Sequence, residues 1–114
     1  MSQKKLPNRQ AAIIEEKKIT TYLLNLNHDD GKSKAKFFLE RGFTLEQWQL
    51  FADSLREHAS NNEIAKIIPS PFGQKFIIEC HLSTPDEINP CIRVVWIMEE
   101  DSTQPRLATA YPHL

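Results

Sequence analysis

The stretch Ile92-Arg93-Val94-Val95-Trp96-Ile97-Met98 limits what this chain can fold into more than any other. Its β-branched and aromatic residues suit a pleated, buried surface. A polar connection from Glu99 to Pro105 follows, then a second run, Arg106-Leu107-Ala108-Thr109-Ala110-Tyr111, closed by Pro112. The two runs read as an antiparallel hairpin, too apolar to stand alone in water. Earlier parts of the chain must therefore supply a layer that covers it.

That layer is legible as helices. A first helix is expected over roughly Glu15 to Asn25, where Ile19, Tyr22, Leu23 and Leu26 recur at helical spacing and Lys17, Lys18 and Thr21 face outward. Asn25 to Gly31 breaks the pattern with turn residues. A second helix, about Lys32 to Arg41, carries Ala35, Phe38 and Leu39 on one stripe, and Gly42 suits its C-terminal cap. Thr44-Leu45-Glu46-Gln47 has the form of a capping box and opens a third helix, Leu45 to about Ala59. Leu45, Trp48, Phe51, Ala52, Leu55 and Ala59 form its apolar stripe.

From Glu63 the period becomes strand-like. Ile64 to Pro69 reads as an edge strand, and Gln74 to Leu82 alternates, with Phe76, Ile78, Cys80 and Leu82 on one face. Helices first and strands after predict an α+β domain: three N-terminal helices packed on a four-stranded antiparallel meander. Residues 1–12 are expected to be a flexible N-terminal segment and 13–112 a single domain. Matching apolar faces sets Phe76 opposite Trp96 and Ile78 opposite Val94, which places Glu79 opposite Arg93 and His81 opposite Cys91. In that register Cys80 and Cys91 face opposite sides and do not form a disulfide. For the last hairpin two registers stay open, one with Thr109 opposite Val95 and one, slipped by a residue, with it opposite Trp96.

Net charge is −1, so the molecule as a whole offers no strong field for DNA or an anionic membrane. Lysines nevertheless crowd the first third, which is where an anion site should be sought. No run approaches the ~20 apolar residues of a membrane helix, no signal peptide is evident, and two cysteines are too few for a disulfide framework. A cytoplasmic location is the expectation. Neither C-x-x-C nor H-x-x-x-H spacing occurs, so no metal or cofactor is expected.

Two stretches carry candidate chemistry. Asn27-His28-Asp29-Asp30-Gly31-Lys32-Ser33-Lys34-Ala35-Lys36 puts an imidazole at the mouth of a helix bearing three lysines. Helix N-termini attract anions, lysine adds charge, and a histidine there can move a proton while cations steady a phosphate. The same residues also make an ordinary capped helix start with a solvated lysine face, and Asp29 and Asp30 oppose phosphate binding. On the sheet, Lys75, Glu79, His81 and Arg93 share a face; Glu79–Arg93 also reads as a structural cross-strand pair.

HDDGKSKAKFF (His28 to Phe38), GFTLEQW (Gly42 to Trp48) and VWIME followed by PRLATAYP (Val95 to Pro112) together resemble a small bacterial domain family of uncharacterised function. The match covers about Ile13 to Pro112. The layout also looks like the toxin domains at the C-termini of large bacterial secreted effectors, grouped with the barnase–EndoU–colicin–RelE type endoribonucleases. That resemblance implies metal-independent RNA cleavage by attack of the 2′-hydroxyl, leaving a cyclic phosphate. His28 would be general base or acid. Lys34 or Lys36, with Arg93, would stabilise the phosphorane, Thr109 or Tyr111 would hold the phosphate, and Lys32 would help bind substrate. The alternative is a non-catalytic protein-binding or immunity-like module, so the partners to consider are RNA and a cognate protein.

Overall fold

A computed structural model describes residues 4–113. A 3₁₀ turn (Arg9–Ala11) leads into α1 (Glu16–Lys18) and a π-turn (Ile19–Leu23), then α2 (Lys32–Glu40) and α3 (Trp48–Asn61). Four strands follow, β1 (Ile64–Ser70), β2 (Gly73–His81), β3 (Cys91–Glu99) and β4 (Arg106–Pro112). They form one sheet in sequence order with every neighbour antiparallel, the α+β meander that the sequence predicts.

β2 and β3 pair with Phe76 opposite Trp96, Ile78 opposite Val94, Glu79 opposite Arg93 and His81 opposite Cys91, as the face-matching argument requires. The last hairpin resolves its two registers with a bulge. Thr109 lies opposite Val95, yet Trp96 faces Leu107, so Ala108 is the extra residue. The bulge keeps Leu107 and Ala110 in the core on either side of Thr109. From the sheet, Phe76, Ile78, Val94, Trp96 and Leu107 meet Ile19, Leu23, Phe38, Phe51 and Leu55 from the helical half. Each such side chain contributes about 1.5–3 kcal/mol by leaving water. Phe51 stacks on Phe43 with centroids 4.5 Å apart and packs on Phe38 at 4.7 Å.

α2 ends as expected. Gly42 has φ +104, its N–H bonds the Leu39 carbonyl at 3.0 Å, and Phe43 N–H reaches back to Phe38 at 3.3 Å. This is a Schellman closure, with buried Phe43 as its apolar anchor.

Four local expectations need correction. The first helix is not regular over Glu15–Asn25 but turns π at Ile19, so Leu24 becomes buried and Leu26 is 49% exposed. α3 begins at Trp48: Thr44 Oγ1 accepts the Gln47 N–H at 3.2 Å, but this closes a turn before the helix and leaves Leu45 exposed. Much of the N-terminal segment is docked, with Leu6 fully buried and the Lys4 carbonyl accepting from Ile64 N–H at 2.8 Å. Residues 1–3 of that segment lie outside the described residues.

The fourth correction concerns Cys80. Its φ of +107 breaks the strand alternation, so it is half-buried rather than a core residue. Its carbonyl accepts a 2.9 Å bond from Nε2 of His58, itself only 1% exposed, while its thiol contacts that of Cys91. Both cysteines are free thiols.

Candidate functional site

The site is built on the π-turn. Thr20 Oγ1 bonds the Glu16 carbonyl at 3.1 Å and Thr21 Oγ1 bonds that of Lys17. Hydroxyls that bond the carbonyl four residues back compete with the helical ladder and loosen it. Here the ladder widens by one residue, with Leu24 N–H donating to Ile19 O at 2.8 Å. Such turns recur at functional sites because they re-aim side chains. Ile19, Leu23 and Leu24 anchor the segment in the core while Tyr22 leans over the edge strand β4. There its Oη lies 3.0 Å from Thr109 Oγ1.

His28 arrives from the loop before α2. Its Nδ1 accepts backbone N–H bonds from Asp30 at 3.1 Å and Gly31 at 3.0 Å, so the imidazole itself caps the approach to the helix. With two donors aimed at Nδ1, that nitrogen holds the lone pair and Nε2 carries the hydrogen. The ring meets Tyr22 edge-on, centroids 4.9 Å apart.

Two ammonium groups complete the surroundings. Nζ of Lys34, from α2, is 5.2 Å from the centre of the Tyr22 ring, and Nζ of Lys18, from α1, is 5.5 Å away. Burial pushes the Tyr22 phenol up, but Lys34 and Thr109 at its hydroxyl and the charges of Lys34 and Lys18 bring it below the ordinary tyrosine value. An open cleft of ≈ 420 Å³ runs beside it, lined by Glu15, Lys17, Lys18, Thr21, Tyr22, His28, Asp30 and Ala108.

A second cleft of ≈ 410 Å³ is lined by Ser33, Lys34, Tyr111 and Pro112. The Arg93 guanidinium sits 5.9 Å from the Tyr111 ring centre and pairs with Glu79 at 2.6 Å, while His113 Nε2 lies 3.6 Å from the same carboxylate.

His28, Lys34 and Thr109 are therefore brought together around Tyr22. Tyr111 and Arg93 lie in the adjoining stretch, and Lys32 and Lys36 project from the exposed face of α2. Tyr22 and Lys18 went unmarked in the sequence. Tyr22 falls at core spacing between Ile19 and Leu23, and the Thr20-Thr21 pair is the only local hint that the helix is irregular there. The arrangement offers a hydrogen-bond donor at His28 Nε2, cations at Lys18 and Lys34, and a phenol linked to a threonine hydroxyl. These are the elements that bind a phosphate group and move a proton beside it.

The family model described as a domain of unknown function (DUF6883) matches residues 5–114. No curated protein matches the chain. Among solved structures, a chain of a contact-dependent growth inhibition toxin–immunity protein complex from Klebsiella pneumoniae 342 is similar, with a TM-score of 0.69 at 17% identity. The likeness covers 90% of this chain and 100% of that one, and at such identity it is a likeness of fold.

Proposed function

The chain belongs to the DUF6883 family, and we propose that it is a metal-independent endoribonuclease-like domain of the bacterial toxin type. It cleaves RNA through attack of a 2′-hydroxyl on the neighbouring phosphate. The observation that carries this reading is the convergence of His28, Lys34 and Thr109 on Tyr22, three residues from the α2 approach, α2 and β4. Lys34 and Lys18 attract the scissile phosphate and balance charge on the phosphorane, the Nε2–H of His28 donates to one of its oxygens, and Thr109 holds the Tyr22 hydroxyl in place. Arg93 and Tyr111 extend the cationic and aromatic surface along which the flanking RNA lies. The toxin–immunity origin of the structural neighbour is compatible with this class.

A second reading is supported by a different surface. Phe72, at the β1–β2 turn, is 74% exposed, and Ile67 on the edge strand β1 is 40% exposed. An edge strand with exposed apolar residues can receive a protein partner, as an immunity-like module would.

Incubation with total RNA separates the two. The nuclease reading expects the parent to degrade RNA, leaving 2′,3′-cyclic phosphate ends, and His28→Ala to leave it intact. His28→Asn should also be inactive while its amide oxygen keeps the two backbone bonds, which separates lost chemistry from a lost cap. RNA left equally whole by the parent overturns the nuclease reading in favour of the binding module.

A further inference from the structure

We propose that Tyr22, rather than His28, is the group that takes the proton from the attacking hydroxyl, because His28 is held by Asp30 and Gly31 N–H in the tautomer whose open nitrogen has no lone pair to offer. This rests on the endoribonuclease reading of the same cleft. To accept a proton at Nε2, His28 would have to place its hydrogen on Nδ1, against two backbone donors, and leave the approach to α2 uncapped. Tyr22 has the opposite setting. Its oxygen bonds Thr109 and it lies between Lys18 on α1 and Lys34 on α2, with the His28 ring at its edge. Lys17, Glu15 and Asp30 line the cleft in front of it.

The step balances without a further reagent. The 2′-hydroxyl proton passes to the Tyr22 phenolate as the bond from the 2′-oxygen to phosphorus forms. The phosphorus–O5′ bond breaks with its electron pair on O5′, which takes a proton from water in the open cleft. The hydroxide so formed restores the phenolate. Lys34 has two parts in this: it holds Tyr22 toward the ionised form and balances the phosphorane.

The test is the pH–rate profile of cleavage of a mixed-sequence RNA oligonucleotide by the whole protein, with Tyr22→Phe and Lys34→Met beside the parent. Tyr22→Phe, which keeps the half-buried ring, should lose about 100-fold or more in rate. Lys34→Met should move the acidic limb of the profile to higher pH. A titration of phenolate absorbance without RNA, parent minus Tyr22→Phe, should show one tyrosine ionising below the ordinary range. A parent that cleaves while Tyr22→Phe keeps its rate and limb overturns this assignment and spares the nuclease reading. A Tyr22 that ionises in the ordinary range or above also overturns it, and a parent that cleaves no RNA removes both.

Discussion

Gly31 and Tyr22 are packed so closely that no side-chain carbon fits between them. A Cβ at Gly31 would lie 2.6 Å from the Tyr22 carbonyl oxygen and 2.8 Å from Cδ1 of its ring. The φ of Gly31, −96°, is ordinary, so glycine is needed for space and not for conformation. Gly31→Ala must displace either the π-turn or the start of α2. We expect it to destabilise the fold by about 1–3 kcal/mol in urea unfolding and to return the Tyr22 phenol toward the usual tyrosine range, since the ring leaves Lys34 and Thr109. An alanine variant that matches the parent in both measurements would show the contact to be looser than described.

His58 sets a limit on acid stability. Burial lowers its pKa, against the pull of the Cys80 and Ile92 carbonyls, so the folded chain resists a proton that the unfolded chain accepts. A folded value below the unfolded one means that stability is complete above about pH 6.5 and is lost as pH falls toward the folded value. Urea midpoints measured at steps between roughly pH 7.5 and 5 should therefore fall with pH. His58→Gln should be weaker at the top of that range but show a flatter slope. Identical slopes in parent and variant would move the effect to another group.

The fold was largely legible because it follows from periods and faces. Alternation over residues 74–82 and 92–98 sets the register, and three helical stripes with nothing else to cover can only lie on that sheet. What escaped the sequence depends on backbone irregularities. The π-turn at Ile19 changes which residue of Tyr22 to Leu26 is buried, the bulge at Ala108 lets Thr109 face outward beside core Leu107, and the positive φ at Cys80 turns its carbonyl to His58. Each departs from a period that a sequence reading assumes is unbroken. The candidate site was half legible for the same reason. His28, Lys34 and Thr109 stand out by residue type, whereas Tyr22 stands out only once the helix is seen to widen beneath it.

The contact between Cys80 and Cys91 predicts a difference in reactivity. Burial, the hydrogen bond and charge of Cys80 and the charge of Glu79 push the Cys91 thiol up to about 11. Because the thiolate is the reactive form, alkylation of Cys91 by iodoacetamide near neutral pH should run about a hundredfold slower than for an ordinary thiol. Glu79→Gln should speed it. Peptide mass spectrometry over a time course reads both rates, and labelling of Cys91 at the pace of a model thiol would contradict the contact.

Arg93 separates a structural role from a nucleic-acid role. Its bond to Glu79 crosses two strands at 2.6 Å, but the partners keep 32% and 26% of their side-chain surface in solvent. A pair this exposed is screened by solvent and adds little, so Arg93→Ala should unfold close to the parent in urea. If Arg93 meets an RNA phosphate beside Tyr111, its loss should weaken binding of an RNA oligonucleotide at low salt and flatten the dependence of log affinity on log salt by about 0.7. Glu79→Gln should do the reverse, since it removes the carboxylate that occupies the guanidinium. Fluorescence anisotropy with a labelled oligonucleotide over a salt series measures both quantities. An Arg93→Ala protein with the parent's affinity and slope would leave this arginine as a cross-strand tie with no part in binding RNA.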